Sequence, residues 1–163
     1  MHIREAREPD LPAVLALLRE DAIREVEEPA EVTEGQRAAL RDIIVRPDQQ
    51  VLVGEMAGNL VATCQVAWLR RLFYDGALVC LVESVRVSSR VRGHGLGAEL
   101  MEYVCAEARR RRCARIELTT NRRRERAQRF YERLGFRPSH VGMKLYLHEA
   151  PYLQEAPNLK EAP

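Results

Sequence analysis

Arg92-Gly93-His94-Gly95-Leu96-Gly97 carries the clearest chemistry in this 163-residue chain. It stands where a β-forming run ending near Val87 gives way to a helical period starting near Gly95. The first amides of a helix point outward without intrahelical acceptors, and the helix dipole adds partial positive charge, so such an end binds anions, phosphate above all. Glycine at 93, 95 and 97 lets a phosphate approach the backbone closely and supplies positive φ where the turn needs it. Read otherwise, the same glycines only make a tight strand-to-helix turn.

Gly93-His94-Gly95-Leu96-Gly97-Ala98 also satisfies the GxGxxG/A fingerprint of dinucleotide-binding units, and Glu117 at the end of the next strand stands about where a ribose-binding acid would. Three observations weigh against that reading. Ser88 to Arg92 separate the strand from the first glycine, the motif normally opens the fold, and too little chain follows for a second mononucleotide half. A Walker loop is excluded because no Gly-Lys-Ser/Thr follows.

The elements that must hold this loop follow from period and punctuation. Met1 to Ala6 reads as a strand. Pro9-Asp10-Leu11-Pro12 is a turn with Asp10 placed to cap a helix whose apolar stripe is Leu11, Val14, Leu15, Leu17 and Leu18. An acidic stretch follows, Glu25, Glu27, Glu28, Glu31 and Glu34 around Pro29. A second helix starts at Thr33, uses Leu40, Ile43 and Ile44, and stops at Arg46-Pro47-Asp48. Gln50 to Met56 and Asn59 to Leu69 form β-runs joined by Ala57-Gly58, a hairpin signal, and Ala77 to Val87 is a third run.

After the loop, Leu96, Leu100, Met101, Val104, Cys105 and Ala108 share one helical face, and Arg109 to Arg112 complement the negative end of that helix. Arg115 to Thr119 is a short strand. Arg122 to Leu134 is a helix with Ala127, Phe130, Tyr131 and Leu134 on one side and Gly135 closing it. Met143 to Leu147 alternates like a last strand, and the Glu-Ala-Pro-rich tail from Glu149 reads as a frayed end.

Length and composition point to one domain, taken as residues 1–148, with 149–163 a flexible tail. The 26 basic residues, all arginine except Lys144 and Lys160, are nearly balanced by 24 acidic ones, leaving a net charge of +2. That balance disfavours a protein that works mainly by coating nucleic acid. The N-terminus has no apolar signal region and no stretch reaches membrane-span length, so a cytoplasmic protein without membrane contact is expected. Cys64, Cys80, Cys105 and Cys113 show neither CxxC pairing nor a nearby histidine at ligand spacing, which fits free thiols in a reducing compartment and no metal site.

Val87-Ser88-Ser89-Arg90-Val91-Arg92-Gly93-His94-Gly95-Leu96-Gly97, then Thr119-Thr120-Asn121, then Ala127 with Phe130-Tyr131 and Leu134-Gly135-Phe136, resembles the GNAT superfamily of N-acetyltransferases. The R/Q-x-x-G-x-G/A pattern after a strand is that family's acetyl-CoA signature. The likeness runs from about Leu81 to Leu147, and the N-terminal half has the expected order of strand, two helices and hairpin. Ser89 departs from the proline many members carry, where only the backbone path is at stake. The resemblance implies an α/β fold, a mixed, mostly antiparallel central sheet splayed at the CoA site, with helices on both faces.

It also implies roles. The CoA pyrophosphate would sit on the amides of Gly93, His94, Gly95, Gly97 and Ala98, with Arg92 bracing the loop or meeting phosphate. The pantetheine arm would pair with main chain at Val85 and Val87. Asn121 matches the position that touches pantetheine or orients the cleft, and Tyr131 the tyrosine that gives a proton to the departing thiolate. Read only as a helix, Tyr131 is an amphipathic core residue.

The implied reaction needs a neutral amine, hence a base. On an unbroken strand Leu81, Glu83, Val85 and Val87 share a face, and Glu83 is the only ionisable group among them. Partial desolvation would tune it for proton transfer, directly or through water; its alternative is a salt bridge with an arginine. In the resembling family the stretch from Glu25 to Glu34 walls the acceptor cleft, and its carboxylates would attract a cationic acceptor: a polyamine, an aminoglycoside-like molecule or a peptide amine. His140 stands in a turn. Two rival functions remain: a non-catalytic CoA-binding module acting through a partner, and an RNA-directed protein using Arg109–Arg112 and Arg122–Arg124. The second is disfavoured because no aromatics interleave with those arginines. A homodimer through the last strands would be ordinary for the family.

Overall fold

Among the described residues five strands pair in the order in which they occur: β1 (His2–Glu5), β2 (Gln49–Met56), β3 (Asn59–Arg70), β4 (Leu78–Val87) and β5 (Cys113–Leu118). The first four are antiparallel; β5 lies parallel to β4. The computed structural model describes residues 1–20, 29–73 and 75–145. The chain divides into two units, residues 1–22 with 32–120, and residues 23–31 with 121–163. The sheet belongs to the first. Ala57 and Gly58 both take positive φ, 49° and 76°, the geometry whose twist matches a two-residue hairpin. The parallel step from β4 to β5 needs a crossover, which α3 (Leu96–Arg110) supplies.

Two helices cover one face of the sheet. Leu11, Val14 and Leu15 of α1 (Leu11–Arg19) and Leu40 of α2 (Glu34–Val45) close on Val53 and Ala6. α2 starts as expected: Thr33 Oγ1 accepts the Gln36 N–H and Gln36 Oε1 accepts the Thr33 N–H, at 3.2 and 3.0 Å, a reciprocal cap worth about 1 kcal/mol. Asp10 does something else than cap α1. Its carboxylate accepts the Arg7 N–H and two hydrogen bonds from the Arg4 guanidinium, because an ionised fork partner outcompetes the helix amides.

Trp68, which alternates with Thr63 and Gln65 and so faces the other way, lies under the guanidinium of Arg111, 4.5 Å from ring centre. α3 therefore covers the opposite face, with Leu100, Met101 and Val104 fully buried. Truncating one of them to alanine costs about 2–5 kcal/mol in lost transfer energy and cavity. Helices on both faces of a mixed, mostly antiparallel sheet are as expected.

β4 carries two irregularities. It pairs with β5 only from Leu78 to Val82, so among the described residues Glu83–Val87 has a strand neighbour on the β3 side alone. β5 ends at Leu118, opposite Val82. Along β3 the register runs from Thr63↔Arg86 to Gln65↔Glu83, leaving Ser84 and Val85 opposite the single residue Cys64. That is a bulge, and Ser84 takes φ +55° to make it.

In the second unit a turn at Asn121 leads into α4 (Glu125–Arg133). Gly135, at φ +91°, ends the helix: its N–H donates to the Glu132 carbonyl and the Phe136 N–H to the Tyr131 carbonyl, the paired bonds of a Schellman motif. Residues 143–145 are not in a strand, contrary to the alternation expected over Met143 to Leu147. Alternation needs a neighbouring strand to become one, and none pairs with them among the described residues. The tail from Glu149 lies outside the described residues.

Candidate functional site

The glycine loop is assembled as its sequence predicts. β4 ends at Val87, Ser89–Val91 forms a 3-10 turn, and Arg92 is extended. Gly93 and Gly95 follow in the left-handed region at φ +84° and +77°. Gly95 is the residue before the first turn of α3, so the amides of Leu96, Gly97 and Ala98 are that helix's acceptor-free donors. A Cβ at Gly93 or Gly95 would meet nothing within 4 Å. The space over both is open to a ligand, and the glycine requirement is one of backbone conformation.

The neighbouring side chains keep the loop in place. Arg92 Nε donates to the Val87 carbonyl at 3.2 Å. His94 folds its Nδ1 back onto the carbonyls of Val91 and Arg92, at 3.2 and 3.1 Å. Glu99, an acid in the first turn of α3 that would repel a phosphate, is engaged by the Met1 ammonium at 2.8 Å.

Glu20, immediately after α1, was not singled out from sequence. Its Oε2 accepts the Ser89 N–H at 2.6 Å and its Oε1 the Ser88 hydroxyl at 3.2 Å. The Ser89 N–H above all holds the Glu20 carboxyl below its ordinary range, against the opposing effect of burial. No local pattern marks Glu20, since its partners are 68 and 69 residues away.

The bulge revises the strand argument around Glu83. Glu83 and Arg86, opposite Gln65 and Thr63, are on the same face of β4, the face covered by α1 and α2, while Val87 opposite Ala62 is on the other. Leu81, Glu83, Val85 and Val87 thus do not share a face, and Glu83 is not the only ionisable group on its own. Glu83 is exposed, where partial desolvation was expected, and Val85 and Val87 are half-buried. The Arg86 guanidinium donates to the Val85 carbonyl at 2.8 Å. The only hint of the bulge in the sequence is the polar pair Glu83-Ser84 inside an apolar run.

Asn121 and Tyr131 belong to the second unit. Asn121 Oδ1 accepts the Arg123 N–H at 2.9 Å, and its carbonyl accepts the Arg124 N–H, a side-chain-closed turn leading into α4. Tyr131 is half-buried and edge-on to Phe130 and Phe136, with ring centres 5.1 and 5.7 Å apart. Of the acidic stretch, Glu25, Glu27 and Glu28 lie outside the described residues; Glu34 pairs with Arg41.

The sequence profile of the Acetyltransferase (GNAT) family matches residues 11–136. The chain belongs to that family. Among solved structures, a transcriptional regulator from Bacillus halodurans C-125 is 33% identical, with 90% of this chain and 99% of that one superimposed at a TM-score of 0.86. An acetyltransferase of Trypanosoma brucei is 28% identical over 90% of this chain and 99% of its own, at a TM-score of 0.74. The 5-NmdU N-acetyltransferase of Pseudomonas phage PaMx11 is 33% identical over 82 residues, 42% of this chain and 56% of that protein, so the match spans little more than half of that relative. No helix among the described residues is long and apolar enough to cross a membrane.

Proposed function

We propose that the protein, through residues 1–148, transfers the acetyl group of acetyl-CoA to a primary amine of a small molecule or peptide by direct attack, in the cytoplasm. One observation carries this reading: an open glycine loop at the start of α3 follows, after Ser88–Arg92, a β4 whose second half has, among the described residues, a strand neighbour on one side only. An anion site thus adjoins a stretch of strand edge that no other described strand pairs with, the two things a pyrophosphate with a peptide-like arm requires.

Acetyl-CoA supplies the activated acetyl group. The amides of Gly93, His94, Gly95, Gly97 and Ala98 receive the pyrophosphate. Arg92, already on the Val87 carbonyl, keeps the loop's entry fixed. The main chain at Val85 and Val87 takes the pantetheine arm, with Asn121 as a further contact to it. Glu83, directly or through a water, accepts a proton from the acceptor ammonium. The freed nitrogen forms the C–N bond as the C–S bond breaks, the Tyr131 hydroxyl protonates the departing sulfur, and the second nitrogen proton, lost as the amide forms, passes through water to restore the Tyr131 phenol. Side-chain acids contribute about 10²–10⁴-fold each in such steps.

The acceptor we favour is cationic, drawn by the carboxylates between Glu25 and Glu34. Since the phage relative is named for 5-NmdU, that compound belongs in the acceptor panel beside polyamines, aminoglycosides and peptide amines.

The test is thermal melting of the protein alone, with acetyl-CoA and with NADH, followed by CoA release over the amine panel. A ligand at a hundredfold its Kd adds about 2.7 kcal/mol of stability. A shift with acetyl-CoA alone and CoA release with an amine are expected. A shift with NADH alone overturns the cofactor assignment, and acetyl-CoA binding without turnover of any amine favours the non-catalytic module.

A further inference from the structure

At the end of the sheet away from the glycine loop lies a charged surface that acetyl transfer does not use. β4 starts at Leu78 beside the start of β5 at Cys113, so the β3–β4 turn and the last turn of α3 emerge from the sheet together. That end carries Arg70, Arg71, Arg109, Arg110, Arg111, Arg112 and Arg115, against Asp75, Glu107, Glu117 and, at the start of β2, Asp48, where Arg46 is already paired with Asp42. The chain as a whole is only +2. Charge that is nearly balanced overall is therefore concentrated here.

Some of these cations are engaged. Arg71 and Arg115 share Glu117, Arg110 holds Glu107, and Arg111 stacks on Trp68. Arg109 and Arg112 are exposed. At the tip of the β3–β4 turn Leu72 is 100% and Phe73 83% exposed. No aromatic interleaves with Arg109 to Arg112 along the sequence, but the fold brings Phe73 to the same end from 36 residues away. Between α3 and β5 a cavity of about 160 Å³ is lined by Arg109, Arg115, Ala108 and Ile116 among others.

CoA does not account for this charge. The ten residues of β4 separate the two ends of the sheet by about 30 Å, several screening lengths at physiological salt. The guanidinium fork matches phosphate oxygens in pairs, and an exposed ring offers a base a stacking face. An anionic bilayer would also accept the Leu72–Phe73 tip, but Arg115 lies on β5 and not at that tip. A flexible polyphosphate chain can follow the exposed arginines from the end of α3 to β5.

We propose that this end of the sheet binds single-stranded nucleic acid, with phosphates on Arg109, Arg112 and Arg115 and a base against Phe73. The proposal is independent of the acetyl-transfer reading.

The test is fluorescence anisotropy of the full chain with a labelled oligothymidylate of about 20 nucleotides. Three or four phosphate contacts give a slope of about −2 to −3 for log K against log salt, a loss of about 20- to 50-fold between roughly 50 and 200 mM NaCl. The double change Arg109→Gln with Arg112→Gln should flatten that slope by about 1.4. Phe73→Ser should weaken binding about fivefold or more. All three side chains are exposed, so unchanged melting temperatures verify that the variants are folded. No binding at the lower salt, or binding that neither variant alters, overturns the proposal. So does tighter binding to phosphatidylcholine vesicles with about one-third phosphatidylserine, or to poly-glutamate.

Discussion

Glu20 Oε2 accepts the backbone N–H of Ser89 at 2.6 Å, so the carboxylate that follows α1 holds the turn from which the glycine loop departs. Ser89 opens the 3-10 turn between β4 and the loop. A charged acceptor on the first amide of that turn fixes where Arg92 and Gly93 begin, and does so from a helix on the opposite side of the sheet to α3.

Glu20→Ala should therefore lower the melting temperature at neutral pH by about 2–4 °C, the effect of about 1 kcal/mol in a domain this size, and raise the KM for acetyl-CoA more than it lowers kcat. The native carboxyl titrates below its ordinary range. The Glu20 contribution is then fully present above the unfolded value near 4.3 and is lost as pH falls through the lower native value. Melting curves of both proteins from about pH 7 to pH 3 should converge at the acid end; a constant gap would mean that packing, not the charge, is what alanine removes.

Gly95→Ala should cost about 1–2 kcal/mol, since the penalty for an L side chain at φ +77° is conformational and a Cβ there meets no atom. Denaturant unfolding measures the cost. Because relaxation of the loop would misalign the amides at the start of α3, the stabilisation given by acetyl-CoA should shrink along with it.

Glu83→Gln should remove the acidic limb from the pH–rate profile of kcat/KM, and Tyr131→Phe should reduce kcat by about 10²-fold or more with little change in the KM for acetyl-CoA. An unchanged pH profile for Glu83→Gln would take Glu83 out of the role of base. Arg86, on the same face, supplies the comparison: Arg86→Gln should leave the shape of the profile as it is.

Burial pushes the thiols of Cys64 and Cys80 up to about 12, while Cys105 and Cys113 are only half-buried. Thiolate is the reactive species. With a thiol reagent near neutral pH the native protein should show no more than two fast-reacting cysteines, Cys105 and Cys113, and all four once unfolded; early labelling of Cys64 or Cys80 would contradict the packing under α3.

The fold was legible because its signals are local. The Ala57-Gly58 turn, the Thr33–Gln36 cap and the Leu96/Leu100/Met101/Val104 stripe each specify structure within a few residues. The glycine loop was legible for the same reason. Glu20 was not, because its partners lie 68 and 69 residues further along the chain. Neither was the face on which Val87 lies, because period-two reasoning assumes an unbroken strand and Ser84 breaks it. Asp10 was misread for another reason: Arg4, only six residues before it, offers its carboxylate a charged fork that competes with the helix amides.

The half-paired stretch of β4 has a consequence for the protein in a crowded solution. A straight run of unpaired strand edge is a template on which another chain can add a strand. Among the described residues the run is only five residues long, is kinked at Ser84, and has Glu83 and Arg86 on one side. The kink that shapes the candidate site also makes a poor surface for copies to stack on. Removing Ser84 to straighten the strand should produce a protein that precipitates on standing.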